Sequence, residues 1–591
     1  VSDAPAENGQ PDAAAPVPAP RGDDRLNPEQ RAQALAALRG TTPEHPLDVL
    51  VVGGGVVGTG CTLDAAARGL RTGLIEQRDL AAGTSSRSSR LAHGGLRYLE
   101  QLEFSLVHEA LTERGLLLDR LAPHLVNPVP MIFPVIGKAW EKPYAGMGVT
   151  LYDMLSRVGA YGGSMPRPRL LSHAQIRGLA PSLACDDWQG AVQFYDAQID
   201  DARHTVCVAR TAVAHGAHVA TGVRLESLLR DGDRVVGACA VPDDGEPFDI
   251  HARVVVAATG VWTDGFLGMC GQDTGPRVRQ SKGVHLVVRR QAIRSTSAVI
   301  ARTPNSVLFI LPWGGRWLVG TTDTPYDGDL ADPAVQAQDV DYLLEQANRW
   351  LVDPITREDI ITTYCGLRPL VAADVAASQA DGTTRLSREH VVFQPVPGAV
   401  VVTGGKYTTY RVMAEDAIDA AATDLALQAL DGVEIPRSTT ESIPLVGADG
   451  YEAAWGGRRR TARDAGLPDP VVVGLLRRHG DRIVDVLDLI AADPSLAEPL
   501  HPSARQLRAE AVIAVTHEGA RDLDDILVRR LRIALDLPER GLEVLQDVVP
   551  LVAPHLGWHD DATPAHVQRY RDGAGQLRFW EETHDDHHDG S

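Results

Sequence analysis

The feature that most constrains this chain is a glycine-rich turn, Gly53, Gly55 and Gly58, set between two short apolar stretches. LDVLVV, from Leu47, predicts a buried strand, VVGTGCTLDAAARG a small-residue helix closed by Gly69, and RTGLIE a second strand ending at Glu76. In this βαβ setting a G-x-G-x-x-G turn lets backbone approach a pyrophosphate at the positive end of the helix dipole. Glu76 stands where a carboxylate would accept hydrogen bonds from a ribose diol and repel a 2′-phosphate. The arrangement predicts an adenine dinucleotide.

Two distant segments decide which one. GTSSRSSRLAHGG supplies hydroxyls at Thr84, Ser85, Ser86 and Ser88, followed by a close-approach glycine pair. TGGKYTTYR places Gly404 and Gly405 before a helix start, with Lys406 beside them. A flavin has to be held along its whole length, and both a helix start and Lys406 can stabilise negative charge on its reduced ring. A nicotinamide needs neither segment, so FAD is the expected cofactor.

Further apolar strands, VVVAATG ending at Gly260 and VVVTGG ending at Gly405, are separated by stretches of antiparallel character. LFILPWGGRWLVGTTD reads as a hairpin turning at Gly314 and Gly315. Late in the chain the patterns become helical. The expected fold class is α/β (α+β): a Rossmann-type FAD-binding domain interleaved with an antiparallel-sheet substrate domain, plus an all-helical C-terminal domain.

The expected boundaries follow composition. Residues 1–25 form a Pro, Ala and Asp-rich disordered tail, and residues 26–46 a helical arm capped by Asn27, with Pro28 in its first turn and Gly40 at its end. Residues 47–437 hold the interleaved domains, FAD-binding mainly in 47–130, 200–270 and 360–425, and substrate-binding mainly in 131–199 and 271–359. The helical unit spans 438–575, and 576–591 is an acidic, histidine-containing tail. In LDDILVRRLRIALD, Leu523, Ile526, Leu527, Leu531 and Ile533 keep mostly helical spacing, so Arg529, Arg530 and Arg532 are expected on the solvated face of an amphipathic helix. His584, His587 and His588 lie in a stretch without fixed geometry, so no metal site is expected.

A net charge of −21 argues against a nucleic-acid surface. The start of the chain lacks the basic and apolar regions of a signal peptide, and no apolar run is long enough to cross a bilayer. The six cysteines are scattered without metal-ligand spacing, as in a reducing compartment, and are expected to be buried small side chains. Lysine is confined to Lys138, Lys142, Lys282 and Lys406.

The strings VVGGGVVGTGCTLDAAARGL, GTSSRSSRLAHGGLRYLEQLEFSLVHEAL, DDARHT, ATGVW, SKGVHLVV, LPWGGRWLVGTTDT, GLRPL and GGKYTTYR run from about residue 47 to 420. In them the chain resembles the FAD-dependent glycerol-3-phosphate dehydrogenases of the glycine oxidase (D-amino-acid oxidase)-like flavoprotein superfamily. LDDILVRRLRIAL is similar to that family's C-terminal helical domain.

The resemblance implies oxidation of sn-glycerol 3-phosphate to dihydroxyacetone phosphate, with hydride passing from C2 to flavin N5. That chemistry needs an anion clamp, which arginine provides best, and a proton acceptor. The resemblance places Arg97 and Tyr98 of HGGLRYLE beside the substrate, with Arg388 of LSREH as a second clamp. His285 of SKGVHLVV has an unperturbed pKa near ~6.5 and suits the C2 hydroxyl proton better than arginine, at above ~12. Arg368 of GLRPL then orients the substrate oxygens, and Lys406 helps from the flavin side. The roles of His285 and Arg368 could be exchanged.

Bacterial relatives of this kind pass electrons to membrane quinone, so the implied location is cytoplasmic, peripheral on the inner face of the plasma membrane. MIFPVIGKAWEKPYAGMGVTLYDML (131–155), with Lys138, Trp140, Lys142 and Tyr144, has a composition that suits a lipid interface. A substrate-domain surface packed on the helical unit, or on a second subunit in a homodimer, is the alternative. The competing activities are a glycerol-3-phosphate oxidase using oxygen, an amino-acid oxidase and, from another class, a flavin-containing RNA-modifying protein, whose charge balance would be wrong.

Overall fold

The computed structural model describes residues 22–95, 103–136, 147, 149, 152, 165–271, 276–303, 307–372, 389–428, 434–559 and 561–576. A five-stranded parallel core runs in the order Ala399–Gly404, Phe248–Ala257, Leu47–Val52, Thr72–Glu76, His218–Thr221, edged by the antiparallel strand His390–Val396. Val49, Leu50 and Val51 are all fully buried, so both faces of this sheet are covered, which is why the strand reads as a continuous apolar run.

Small residues let one layer of helices sit close. Helix Val56–Ala67 lies beside Asp201–Ala214 and Tyr410–Gln428, and a Cβ at Gly60 would already stand 3.1 Å from Ala414 and Tyr410. The other face carries an antiparallel meander, Val223–Asp231 and Arg234–Pro242 turning into Phe248–Ala257. Helix Pro28–Arg39 completes that layer. Its Asn27 cap accepts from the Gln30 N–H at 2.8 Å, and its Leu38 seats over Gly73.

The second sheet has ten strands and is mostly antiparallel. At its centre, Arg277–Arg289 pairs along its length with Ile360–Ala372, and the expected hairpin forms as Val307–Trp313 and Arg316–Gly320, with φ of 53° at Gly314 and 95° at Gly315. Helices His173–Leu179 and Ala337–Asn348 cover one side, packing Ile176, Val340, Leu343 and Ala347 against Val284, Leu286, Val288 and Cys365. Strand alternation therefore sends Ser281, Gly283, His285, Tyr364, Gly366 and Arg368 to the opposite face, toward the first sheet.

After about residue 438 the chain is helical, with Tyr451–Ala465, Asp469–His479, Ile483–Ala492, Arg508–Thr516, Leu545–Leu556 and Thr563–Gln576. The fold class is thus the expected one: two interleaved α/β units and a helical C-terminal region. Cys61, Cys185, Cys207, Cys270 and Cys365 are buried, and Cys239 is half-buried.

One expectation is corrected. Arg529, Arg530 and Arg532 are not on a solvated helix face; all three are buried. The segment forms a wide π-helical turn over Asp525–Arg530, passes through a left-handed Arg532 (φ 60°), and resumes as the short helix Ile533–Asp536. Carboxylates of the main body account for the difference. Arg529 and Arg530 both pair with Asp79, at 2.5 and 2.7 Å, and Arg532 pairs with Asp200 at 3.2 Å and with Asp201. Burial alone would raise the Asp79 carboxyl, but Arg530 and Arg529 outweigh it and hold the group below its ordinary range.

Candidate active site

The face that strand alternation turns toward the first sheet carries three cross-strand pairs: Ser281 opposite Arg368, Gly283 opposite Gly366, and His285 opposite Tyr364. Glycine at the middle pair leaves the sheet surface low, and the Arg368 guanidinium lies across it. A Cβ at Gly283 would stand 2.7 Å from both Arg368 Nη2 and Thr321 Oγ1. Arg368 donates from Nη1 to the Thr322 carbonyl and from Nη2 to Thr321 Oγ1, each at 3.1 Å, while Asp323 lies 3.5 Å from Nη1.

His285 is held on two sides. Its Nε2 is 2.8 Å from Ser89 Oγ, and its ring stacks on Tyr364 with centroids 4.7 Å apart and planes 7° from parallel. Nδ1 is buried without a hydrogen-bond partner among the described residues. Burial, then the positive charges of Arg368 and Arg90, push the imidazole down to about 3, so it is neutral across the physiological range, with an open lone pair but a lower proton affinity than an ordinary histidine.

The same cavity, about 570 Å³, extends from this face to the glycine-rich turn. Gly53 has φ 113°, and a Cβ at Gly58 would stand 1.9 Å from the Gly53 carbonyl oxygen, so the helix start presses directly on the turn. Gly55 is the cap of that helix, and Ser85 Oγ accepts from the Val56 N–H at 3.0 Å. Glu76 accepts from the Gly54 N–H at 2.7 Å and the Arg78 N–H at 2.8 Å, while burial raises its pKa. Two fixed bonds orient this carboxylate and leave it lone pairs for a diol.

Gly404 and Gly405, at φ 78° and 75°, turn the chain out of its strand into Lys406 and the 3₁₀ turn Tyr407–Thr409. They line the cavity together with Lys406 and Gly260, which opens the turn Gly260–Trp262 at φ 54°. Gly53, Gly55, Glu76, Thr84, Ser85, Ser88, His285 and Arg368 share that lining.

The serine-rich loop holds itself in place with its hydroxyls. Thr84 donates to the Leu367 carbonyl at 2.6 Å, and Ser88 donates to Asp201 from N–H (3.0 Å) and Oγ (2.6 Å). Ser86 is buried off the cavity wall and its carbonyl accepts from Arg532 at 3.1 Å, so it supports the loop from behind. Arg97, Tyr98 and Arg388 lie outside the described residues, as do Lys138, Trp140, Lys142, Tyr144 and the histidine-containing tail. The structure adds Ser89, Thr321, Asp323 and Tyr364 to the site. Tyr364 was accessible in principle, standing four residues before Arg368 on one strand face, whereas Ser89 meets His285 only through the fold.

These residues fit an FAD. A side chain at Gly53 or Gly58 would strike backbone, at 2.5 and 1.9 Å, so the turn keeps its shape only with glycine, and Glu76 sits at one end of a continuous cavity whose other end carries a neutral histidine and an arginine. Comparison with known proteins agrees. The family described as FAD dependent oxidoreductase matches residues 48–411, and the C-terminal domain of alpha-glycerophosphate oxidase matches residues 438–563. A glycerol-3-phosphate dehydrogenase of Mycobacterium leprae is 48% identical over 92% of this chain and 90% of its own length. Glycerol-3-phosphate dehydrogenase 2 of Mycobacterium tuberculosis is 47% identical over 94% and 92%. The crystal structure of the glycerol-3-phosphate dehydrogenase from Bacillus halodurans complexed with FAD superimposes with a TM-score of 0.73 at 26% identity, covering 93% of this chain and 98% of that one. The chain belongs to the family of FAD-dependent glycerol-3-phosphate dehydrogenases.

Proposed function

We propose that the protein oxidises sn-glycerol 3-phosphate to dihydroxyacetone phosphate and passes the electrons on to membrane quinone. The observation that carries this reading is one cavity joining the dinucleotide turn at Gly53 and Glu76 to the cation and imidazole pair of Arg368 and His285. FAD, when bound, supplies at N5 the acceptor for hydride leaving C2.

The chain's own residues do the rest. Neutral His285 takes the C2 hydroxyl proton, its ring held in one orientation by Ser89 and Tyr364. Arg368, lying flat over Gly283, steers the substrate oxygens and stabilises negative charge growing on the C2 oxygen. Asp323 and two threonine oxygens fix that guanidinium without enclosing it, since about a quarter of the side chain, 26%, is exposed. Lys406 adds positive charge at the Gly405 end of the cavity. Arg97, Tyr98 and Arg388 are proposed to clamp the phosphate, a role that rests on the sequence resemblance.

No helix among the described residues is long and apolar enough to cross a membrane. Most of the described part of the 131–155 stretch is not at a lipid interface, because Met131, Ile132, Val135, Val149 and Tyr152 are buried in the protein; what supports peripheral contact at the inner face of the plasma membrane is the pair of exposed apolar side chains Ile136 (48%) and Met147 (65%). The test is to reduce the holoenzyme anaerobically with glycerol 3-phosphate, then mix it with a quinone analogue or with oxygen. Fast reoxidation by quinone alone supports the proposal, and fast reoxidation by oxygen makes the protein an oxidase.

A further inference from the structure

Arg532 belongs to the C-terminal helical unit, yet its side chain ends within the loop that holds His285. It is buried and adopts a left-handed backbone (φ 60°), a conformation that is unfavourable for a non-glycine residue and persists where the surroundings impose it. Its guanidinium makes three contacts with the main body. Nη1 donates to the Ser86 carbonyl at 3.1 Å, Nε donates to Asp200 at 3.2 Å, and Nη2 pairs with Asp201.

Asp201 carries the contact onward. Its other oxygen accepts from the Ser88 N–H at 3.0 Å and from Ser88 Oγ at 2.6 Å, and Ser88 Oγ in turn accepts from the Arg90 N–H at 3.0 Å. The Ser88 carbonyl accepts from the Tyr364 hydroxyl at 3.0 Å. Ser89, the next residue, reaches His285 Nε2, and Tyr364 stacks on the same imidazole. Both supports of His285 therefore converge on Ser88 and Ser89, and that pair is pinned by Asp201 under Arg532.

We infer that Arg532 is a positioning residue for the proton-accepting histidine, acting from the C-terminal unit through Asp201, Ser88 and Ser89. The inference rests on His285 being the base of the proposed reaction. A forked guanidinium is needed, because one side chain has to hold a carbonyl and two carboxylates in fixed directions, which an ammonium on a flexible stem cannot do. Arg530, buried in the same interface but paired with Asp79, provides the matched control, since it joins the two units without touching the 86–90 loop.

The test uses the full-length holoenzyme carrying Arg532→Lys or Arg530→Lys. Flavin content is measured first, then the rate of flavin reduction by glycerol 3-phosphate across pH under anaerobic conditions. Arg532→Lys should slow reduction at saturating substrate by about 10- to 100-fold and displace the acid limb of its pH profile, with substrate Kd within a few-fold. Arg530→Lys should leave the pH profile in place. Equal slowing by both variants with superimposable pH profiles would overturn the inference, because Arg532 would then only join the units. Should His285→Asn reduce flavin at the wild-type rate, the base assignment fails on its own account. Positioning is then read from the His285 imidazole resonance: a shift in Arg532→Lys but not in Arg530→Lys upholds it, and an unmoved resonance refutes it.

Discussion

Gly283→Ala isolates the cation of the proposed site with a single methyl group. Gly283 does not need a left-handed backbone, so alanine adds bulk without conformational strain. The new Cβ would stand 2.7 Å from Arg368 Nη2 and from Thr321 Oγ1. Restoring ordinary contact at about 3.4 Å pushes the guanidinium off the sheet by roughly 0.7 Å and loosens its bonds to Thr321 and Thr322. A hydrogen bond between a charged group and substrate is worth about 1.5–3 kcal/mol, or about 10- to 150-fold in kcat/KM. The assay is anaerobic stopped-flow reduction by glycerol 3-phosphate, with flavin content and Tm as controls. Wild-type flavin content with kcat/KM within threefold of wild type would refute the placement of Arg368 over the reacting atoms.

Gly58→Ala should abolish FAD retention, because its Cβ would meet the Gly53 backbone oxygen at 1.9 Å, and the flavin-to-protein ratio after gel filtration reads this directly. Asp79→Asn leaves Arg530 buried without its carboxylate and Arg529 with Asp525 alone, so a loss of about 3–5 kcal/mol is expected in denaturant unfolding. Burial first, then nearby Arg203, His479, His204 and Arg210, lowers His124 to about 3, and neither of its ring nitrogens has a hydrogen-bond partner among the described residues. A lowered imidazole is neutral when folded, so the stability it permits is intact above the unfolded value near ~6.5 and is lost as pH falls below it, by roughly 2 kcal/mol at pH 5. His124→Phe should therefore gain on wild type by that amount between pH 7.5 and 5 in parallel unfolding curves, and a constant difference would contradict the sign.

The sequence disclosed what local spacing encodes. Gly53, Gly55 and Gly58 lie within one turn of chain, and Glu76 ends the next strand, so the glycine-rich end of the cavity was legible from local spacing. Gly404, Gly405 and the Gly314–Gly315 hairpin were legible for the same reason, since each marks a positive-φ turn. Contacts between distant segments were not. Ser89 meets His285 from 196 residues away, and Arg532 meets Asp201 from 331. Hydrophobic spacing alone put Arg529, Arg530 and Arg532 on a wet face, because nothing local reveals that Asp79, Asp200 and Asp201 await them. The hydroxyls of Thr84, Ser85 and Ser88, expected at the cofactor, line the cavity and also tie the loop to the rest of the protein, a second role that only the fold reveals.

The proposed function requires one continuous cavity to bring FAD and glycerol 3-phosphate together for C2 oxidation. The most direct measurement is the flavin absorbance of the FAD-loaded protein before and after glycerol 3-phosphate is added without oxygen. Prompt loss of the oxidised flavin bands is the expected result. Persistence of those bands at saturating glycerol 3-phosphate, with FAD still bound, would contradict it.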